Sequence, residues 1–156
     1  MQISELLRQD LIKVDLESDE KEPAIAEVLE LLVRSGDVTD RDGAYQALLE
    51  REEKGTTGIG DGLAVPHAKH PSITHLCVAL GLSSHGVEFD AIDGEPVYVI
   101  FLILAEPDNP GPHVQALAQV ARLCQTPGFC RRLRECRSSE EALKVIAEYE
   151  EPAEET

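Results

Sequence analysis

The sequence lacks any long hydrophobic run. No stretch reaches the roughly 18 consecutive apolar residues that a membrane-spanning helix needs, and no basic, apolar leader with a small-residue cleavage site opens it. We therefore expect a cytoplasmic protein without direct membrane insertion. Internal repeats are also missing, and 156 residues fit one ordinary domain. We assign that domain to residues 1–150 and expect the acidic tail at 151–156 to be disordered.

CxxC pairs are absent as well. The four cysteines lie inside apolar or helical patterns, which suits free buried thiols better than a disulfide framework. A reducing cytosol is the compartment that such cysteine usage favours. The four positions are Cys77, Cys124, Cys130 and Cys136.

Positive charge is scarce. Thirty Asp and Glu against 14 Lys and Arg give a formal net charge of -16 at pH 7. That charge repels a nucleic-acid backbone and anionic membranes, so we expect no nucleic-acid partner, and it attracts a basic protein partner. Solubility alone also explains the charge, and composition does not decide between the two explanations.

Several apolar patterns predict strands. Ile12, Val14 and Leu16 alternate at period two, as in a half-buried strand. The runs at 76–82 and 97–105 are continuously apolar, which is typical of central strands covered on both faces. Shorter strands are predicted at 63–65 and 87–89. The short connection at 82–89 indicates an antiparallel hairpin and therefore a mixed sheet.

Helical periodicity separates these strands. One helix follows Ser18 or Asp19 as a cap and ends at Gly36; a second starts at Thr39 or Asp40 and stops at Gly55. Further helices are predicted around 113–121, after Thr126-Pro127, and after a capping box formed by Ser138 and Glu141. Helices and strands in this order favour an α/β fold: a single three-layer domain with a mixed β-sheet flanked by helices.

The segment 55–70, GTTGIGDGLAVPHAKH, carries the candidate chemistry. His67 follows Pro66, whose fixed torsion can present the imidazole at a pocket. A neutral imidazole nitrogen can attack phosphorus if an acceptor, such as a backbone carbonyl, holds the other nitrogen. Arg51, in the last turns of the second helix, and His113, in the first turn of a later helix, could stabilise phosphoryl oxygens.

The glycines at 55, 58, 60 and 62 would let backbone amides approach a phosphate closely. Each feature also has an ordinary explanation. A loop histidine is often a surface residue, Arg51 a solvated helix-end charge, and a glycine-rich loop a simple turn. Spacing alone does not select the phosphate site.

The residues do resemble a known family. LLERE at 48–52, the glycine-rich segment that ends in Pro66-His67, GVEFDAIDGEPV at 86–97 and His113 at a helix start are similar, in that order, to type-2 enzyme IIA domains of the sugar phosphotransferase system. This is the fructose, mannitol and nitrogen-regulatory family. The resemblance covers about residues 3–149. Ala68 stands where relatives often have glycine, which leaves the chemistry intact.

The resemblance implies a mixed sheet flanked by helices and a phosphotransferase that acts through a phosphohistidine. His67 matches the histidine that accepts phosphoryl from HPr and passes it to a IIB domain, usually to a cysteine there. His113 matches the family's assisting histidine, and Arg51 its arginine. The implied relay needs no metal or cofactor.

Three alternatives stay open. Nitrogen-type relatives are free-standing regulators that act by phosphorylation-dependent binding to a target protein. A zinc site could be imagined on the neighbours in sequence His67, His70, His75 and Cys77, although Pro71 and the spacing disfavour it. A degenerate binding module that keeps the fold without receiving phosphate is the third. His70, His75 and His85 match no catalytic position, and we expect them at the surface or in loops.

Overall fold

A computed structural model describes residues 1–150, so the predicted disordered tail at 151–156 lies outside the described residues. Within that range the chain forms six strands and six helices, with a 3₁₀ turn at Gln9–Leu11. The strands are β1 (Ile12–Lys13), β2 (Gly58–Gly60), β3 (Leu63–Ala64), β4 (His67–Lys69), β5 (Cys77–Val87) and β6 (Val97–Ala105). The helices are α1 (Ile3–Leu6), α2 (Lys21–Ser35), α3 (Arg41–Glu53), α4 (Pro110–Gln125), α5 (Phe129–Arg134) and α6 (Ser139–Glu150).

The strands build one mixed sheet in the order β1-β5-β6-β3-β2, with β4 also paired to β6. β5 and β6 run antiparallel, whereas β3 and β4 both lie parallel to β6, one after the other along its length. Nearly every residue of β6 is buried, so both faces of this strand are covered, as the continuous apolar run predicted.

Helices cover both faces of this sheet. α2 packs on β5 and β6 and against α3, while α1, α4, α5 and α6 contact one another around the opposite face. The predicted α/β class and three-layer domain are therefore confirmed. None of the helices formed by residues 1–150 is both long enough and apolar enough to cross a membrane.

Element boundaries differ from the sequence prediction in several places. α2 begins after Glu20, so neither Ser18 nor Asp19 is its cap, but it ends at Gly36 in the left-handed conformation, as predicted. α3 is capped by Asp40, whose side chain accepts the Gly43 N–H. The predicted β1 shortens to two residues. Residue 87 ends β5, so 87–89 is not a separate strand.

All four cysteines are free, as expected, but only Cys77 is fully buried. The other three are half-buried on the helices α4 and α5 and just after α5. The thiol prediction therefore holds for oxidation state and only partly for burial.

Candidate active site

His67 lies at a break between two short strands. β3 and β4 pair with successive stretches of β6, and Val65-Pro66 separate them, because proline cannot donate to a sheet ladder. The Ile103 N–H donates instead to the Pro66 carbonyl at 3.0 Å, which fixes the chain at this point. His67 opens β4 and is half-buried, so its ring stands at the edge of the sheet rather than in the core.

One nitrogen of the His67 ring is occupied. Nδ1 lies 2.7 Å from the Val65 carbonyl oxygen, the kind of backbone acceptor that we expected. Since a carbonyl only accepts, Nδ1 carries the proton of the neutral ring and Nε2 keeps its lone pair. Burial lowers the pKa of His67, the Val65 carbonyl opposes this, Arg51 lowers the pKa further and Glu52 raises it. The net lowering favours the neutral, nucleophilic ring.

His113 stands beside it. His113 is the fourth residue of α4 and is 8% exposed. Its ring lies edge-on to the ring of His67, with 5.6 Å between the ring centroids and 66° between the ring planes. Burial, followed by the charges of His67 and Lys69, lowers the pKa of His113. Among the side chains of residues 1–150, His113 Nε2 is the only buried polar atom without a hydrogen-bond partner. This buried nitrogen is therefore available to a water molecule or to a ligand atom.

Arg51 completes the group from the last turn of α3. Its Nη1 donates to the Gly55 carbonyl at 2.8 Å, and its charge reaches His67. Arg51, His67 and His113 line one cleft of about 430 Å³ between α3, β4 and α4. The structure thus brings together the three residues singled out in the sequence. The remaining cleft lining is Ala47, Glu50, Lys54, Ala68, Lys69, Pro110, Val114 and Leu117.

A larger depression, of about 540 Å³, lies away from this group beside Val14, Ser83 and Arg134 and contains no histidine. It offers no imidazole nucleophile. The histidine-lined cleft therefore remains the candidate site on chemical grounds rather than on size.

Sequence reasoning missed two cations in the cleft. Lys69 shares a face of β4 with His67 because side chains alternate along a strand, and Lys54 lies three positions after Arg51 on the same helical side. Both positions follow from period arguments once the elements are known. They add positive charge around His67.

The expectation for the glycines is wrong. Gly58 packs against Ala91 and Phe89, and Gly62 packs against Tyr98. They let the β2–β3 hairpin approach the 89–98 segment closely, and none of the four glycines lines the cleft. Side-chain cations and the unpartnered His113 nitrogen, rather than glycine amides, are the polar groups found at this cleft.

The four residues considered as a zinc site do not form one cluster in the structure. His67 faces His113, and His70 Nδ1 lies 2.8 Å from the Ser72 hydroxyl. Within residues 1–150 a different trio converges instead: Asp37, His75 and Cys77, with ligand atoms within 4.8 Å of one another. The Arg8 guanidinium already pairs with the Asp37 carboxylate at 2.8 Å. The Arg8 guanidinium therefore already supplies the positive charge that pairs with the carboxylate of this trio.

The remaining histidines lie where we expected them. His75 and His85 are exposed, and His70 is half-buried in the loop after β4. His85 Nε2 contacts the Ser18 carbonyl at 3.1 Å. None of these three rings lines the cleft.

Comparison with known proteins gives one consistent picture. Residues 5–149 match the family model described as "Phosphoenolpyruvate-dependent sugar phosphotransferase system, EIIA 2". A fructose-specific EIIA component from Haloferax volcanii is 37% identical over 149 residues, covering 96% of this chain and 97% of that protein. A fructose-specific EIIABC component from Bacillus subtilis is 35% identical over 150 residues, and this chain spans 24% of its length.

A solved structure, the nitrogen regulatory protein IIA-Ntr from Neisseria meningitidis, superimposes with a TM-score of 0.85 at 30% identity. The match covers 92% of this chain and 98% of that one. Fructose and nitrogen-regulatory relatives are thus both similar to this chain along nearly its whole length.

Proposed function

The chain belongs to the EIIA 2 family of the phosphoenolpyruvate-dependent sugar phosphotransferase system, and on that premise we propose that it carries the phosphoryl group on Nε2 of His67. The family membership makes the chain a phosphocarrier and a phosphotransferase. The observation that carries the assignment to His67 is the contact of Nδ1 with the Val65 carbonyl at 2.7 Å, which leaves Nε2 as the free nucleophile.

The transfer is a displacement between two imidazoles. The lone pair of His67 Nε2 attacks phosphorus, a P–N bond forms, and the P–N bond to the donor's histidine breaks. The His67 ring keeps its Nδ1 proton throughout, held by Val65, so no base has to remove a proton. In the second transfer, the acceptor's nucleophile attacks phosphorus, and the P–N bond to His67 Nε2 breaks.

Charge on the three phosphoryl oxygens needs compensation in the transition state. Arg51, Lys54 and Lys69 supply positive charge around the cleft, and Arg51 has the planar fork that suits phosphate oxygens. His113 Nε2, buried without a partner, is an available donor once it carries a proton. We assign these groups the role of steadying the transferring group, with no metal or cofactor.

The donor in this proposal is an HPr-like phosphocarrier, and the acceptor is a IIB domain or a regulatory target protein. The name of the Bacillus subtilis relative joins A, B and C components, which supports a B-type acceptor. A formal charge of -16 favours a partner with a basic docking face. The four free cysteines fit the reducing cytoplasm in which such partners work.

A regulatory role is the second candidate, supported by the similarity to the Neisseria meningitidis IIA-Ntr. Phosphorylation adds about -1.5 to -2 charge at His67. That change would alter which partner surface is complementary, so a target could bind one state only. A pull-down that compares phosphorylated with unphosphorylated protein separates regulation from transport.

Incubation with phosphoenolpyruvate, enzyme I and HPr tests the proposal. We expect one acid-labile phosphate per chain, absent in His67→Ala and retained in His75→Ala. A label that persists in His67→Ala would identify another nucleophile. A wild-type protein that takes up no phosphate would be the degenerate binding module considered above.

A further inference from the structure

We propose that Glu52, held between Thr57 and Lys21, is a positioning residue that fixes the Val65 carbonyl and thereby the tautomer of His67. The inference rests on the proposed function of His67 as phosphoryl carrier. It concerns Glu52, Thr57 and Val65, none of which lines the cleft.

Glu52 is the residue next to Arg51, near the end of α3, and its side chain is 6% exposed. One carboxylate oxygen accepts the Thr57 N–H at 3.2 Å, and the other accepts the Thr57 hydroxyl. The Lys21 ammonium, in the first turn of α2, lies 3.0 Å from the first oxygen. The contact with Lys21 and the two hydrogen bonds from Thr57 therefore orient this buried carboxylate.

From Thr57 the contacts continue to the active histidine. The Thr57 carbonyl accepts the Val65 N–H at 3.0 Å, and the Val65 carbonyl lies 2.7 Å from His67 Nδ1. Both polar groups of the Val65 backbone are thus engaged, one toward Glu52 and the other toward the imidazole. A displacement of Thr57 therefore moves the atom that selects the His67 tautomer.

The α3–β2 turn is held from two sides. Arg51 donates to the Gly55 carbonyl, and Glu52 accepts from Thr57, two residues further along. These neighbours on one helix point in different directions, so one contacts the cleft and the other the interior. The Thr56 hydroxyl adds a third tie, to the Phe89 carbonyl at 3.2 Å.

The anion also acts through space. Glu52 opposes the lowering of the His67 pKa by burial and by Arg51. The Lys21 ammonium pairs with this carboxylate at 3.0 Å and offsets part of its charge. The Glu52 side chain therefore has two separable effects: it holds Thr57 in position, and its charge raises the pKa of His67.

The test uses ¹⁵N NMR of the unphosphorylated full chain together with the phosphotransfer rate. In Glu52→Gln we expect more of the Nε2–H tautomer, a lower His67 pKa because an anion is lost, and roughly tenfold slower transfer, as a small misplacement would cause. Glu53→Gln removes the same charge from the exposed adjacent residue. We expect it to leave the tautomer and the rate unchanged.

Thr57→Val and Thr57→Ser separate position from charge, because neither changes the charge. Loss of the hydroxyl in Thr57→Val should raise the Nε2–H population and slow transfer, and Thr57→Ser should restore both. The same pair serves if Glu52→Gln does not fold. Wild-type tautomer populations in folded Glu52→Gln or in Thr57→Val would overturn the proposal.

The two proposals fail separately. The tautomer is measured without donor or phosphate, so it reports on Glu52 even if the wild-type chain takes up no phosphoryl group. Conversely, normal phosphorylation with an unchanged tautomer in Thr57→Val would contradict the role of Glu52 and leave the proposal for His67 intact.

Discussion

His75 and His67 lie close together in sequence, but the clusters of side chains around them differ. His75 Nε2 is 2.8 Å from the Asp37 carboxylate, which Arg8 also binds. His67 has its free Nε2 in a cleft with Arg51 and the unpartnered Nε2 of His113. The first cluster is satisfied internally, because Arg8 and His75 both contact the Asp37 carboxylate. The second has Arg51, Lys54 and Lys69 against the single carboxylate of Glu50, so positive charge is in excess around the cleft.

The arginines of the two clusters give the largest expected difference. Arg51→Gln removes the guanidinium fork that we propose stabilises the transferring oxygens, and we expect phosphotransfer from HPr to slow by roughly 10³-fold. Arg8→Gln is the matched change in the other cluster and should leave the rate unchanged. Rapid-quench measurement of phosphorylated protein checks both. Equal rates in the two variants would remove Arg51 from the site.

The next largest effect is expected at His113, the second histidine of the cleft. His113→Ala deletes the unpartnered imidazole that we propose as a donor, and we expect transfer to fall by roughly 10²-fold, the effect of losing one preorganised donor. His113→Gln keeps an N–H donor and should recover part of the rate. His75→Ala serves as the control from the satisfied cluster. A slow His75→Ala together with a normal His113→Ala would reverse the comparison.

The satisfied cluster should matter for stability instead. Burial alone would raise the pKa of Asp37, but hydrogen bonds from Ser35, Arg8 and His75 outweigh it and lower the pKa from 3.8 to about 2. A depressed carboxyl pKa stabilises the fold above the unfolded pKa and loses that contribution as pH falls toward 2. We expect Asp37→Asn to cost about 2 kcal/mol at pH 7.

Urea unfolding at pH 7 and at acid pH measures this effect. The difference between wild type and Asp37→Asn should shrink as the pH falls from about 4 to about 2. Asp19→Asn, at an exposed position, controls for the loss of one negative charge. A pH-independent difference would mean that packing, not ionisation, accounts for the loss.

The first part of β5, up to Leu82, and all of β6 were predictable because they are covered on both faces and read as apolar runs. β2 and β4 were not, since three residues among glycines and a proline carry no period and form only by pairing with the rest of the sheet. The convergence of His67 with His113 joins distant segments, so only the family resemblance indicated it. No periodicity or motif in the sequence predicts the buried contact of Glu52 with Thr57.

The smallest effect concerns the proton affinity of His67 itself. Burial, then the charge of Arg51, lowers its pKa below 6.5. Because a protonated ring has no free lone pair, the transfer rate should fall as pH drops through this lowered pKa. Removal of a neighbouring cation raises the pKa, so Arg51→Gln should move the acid limb of the rate profile to higher pH.

NMR titration of the His67 ring gives the same quantity without the donor, whose own ionisation otherwise enters the profile. Arg8→Gln should leave the His67 titration where it is, because Arg8 faces Asp37 and not the cleft. An acid limb that stays in place in Arg51→Gln would show that the guanidinium does not reach the imidazole. The contrast between the two clusters would then depend on His113 and the lysines alone.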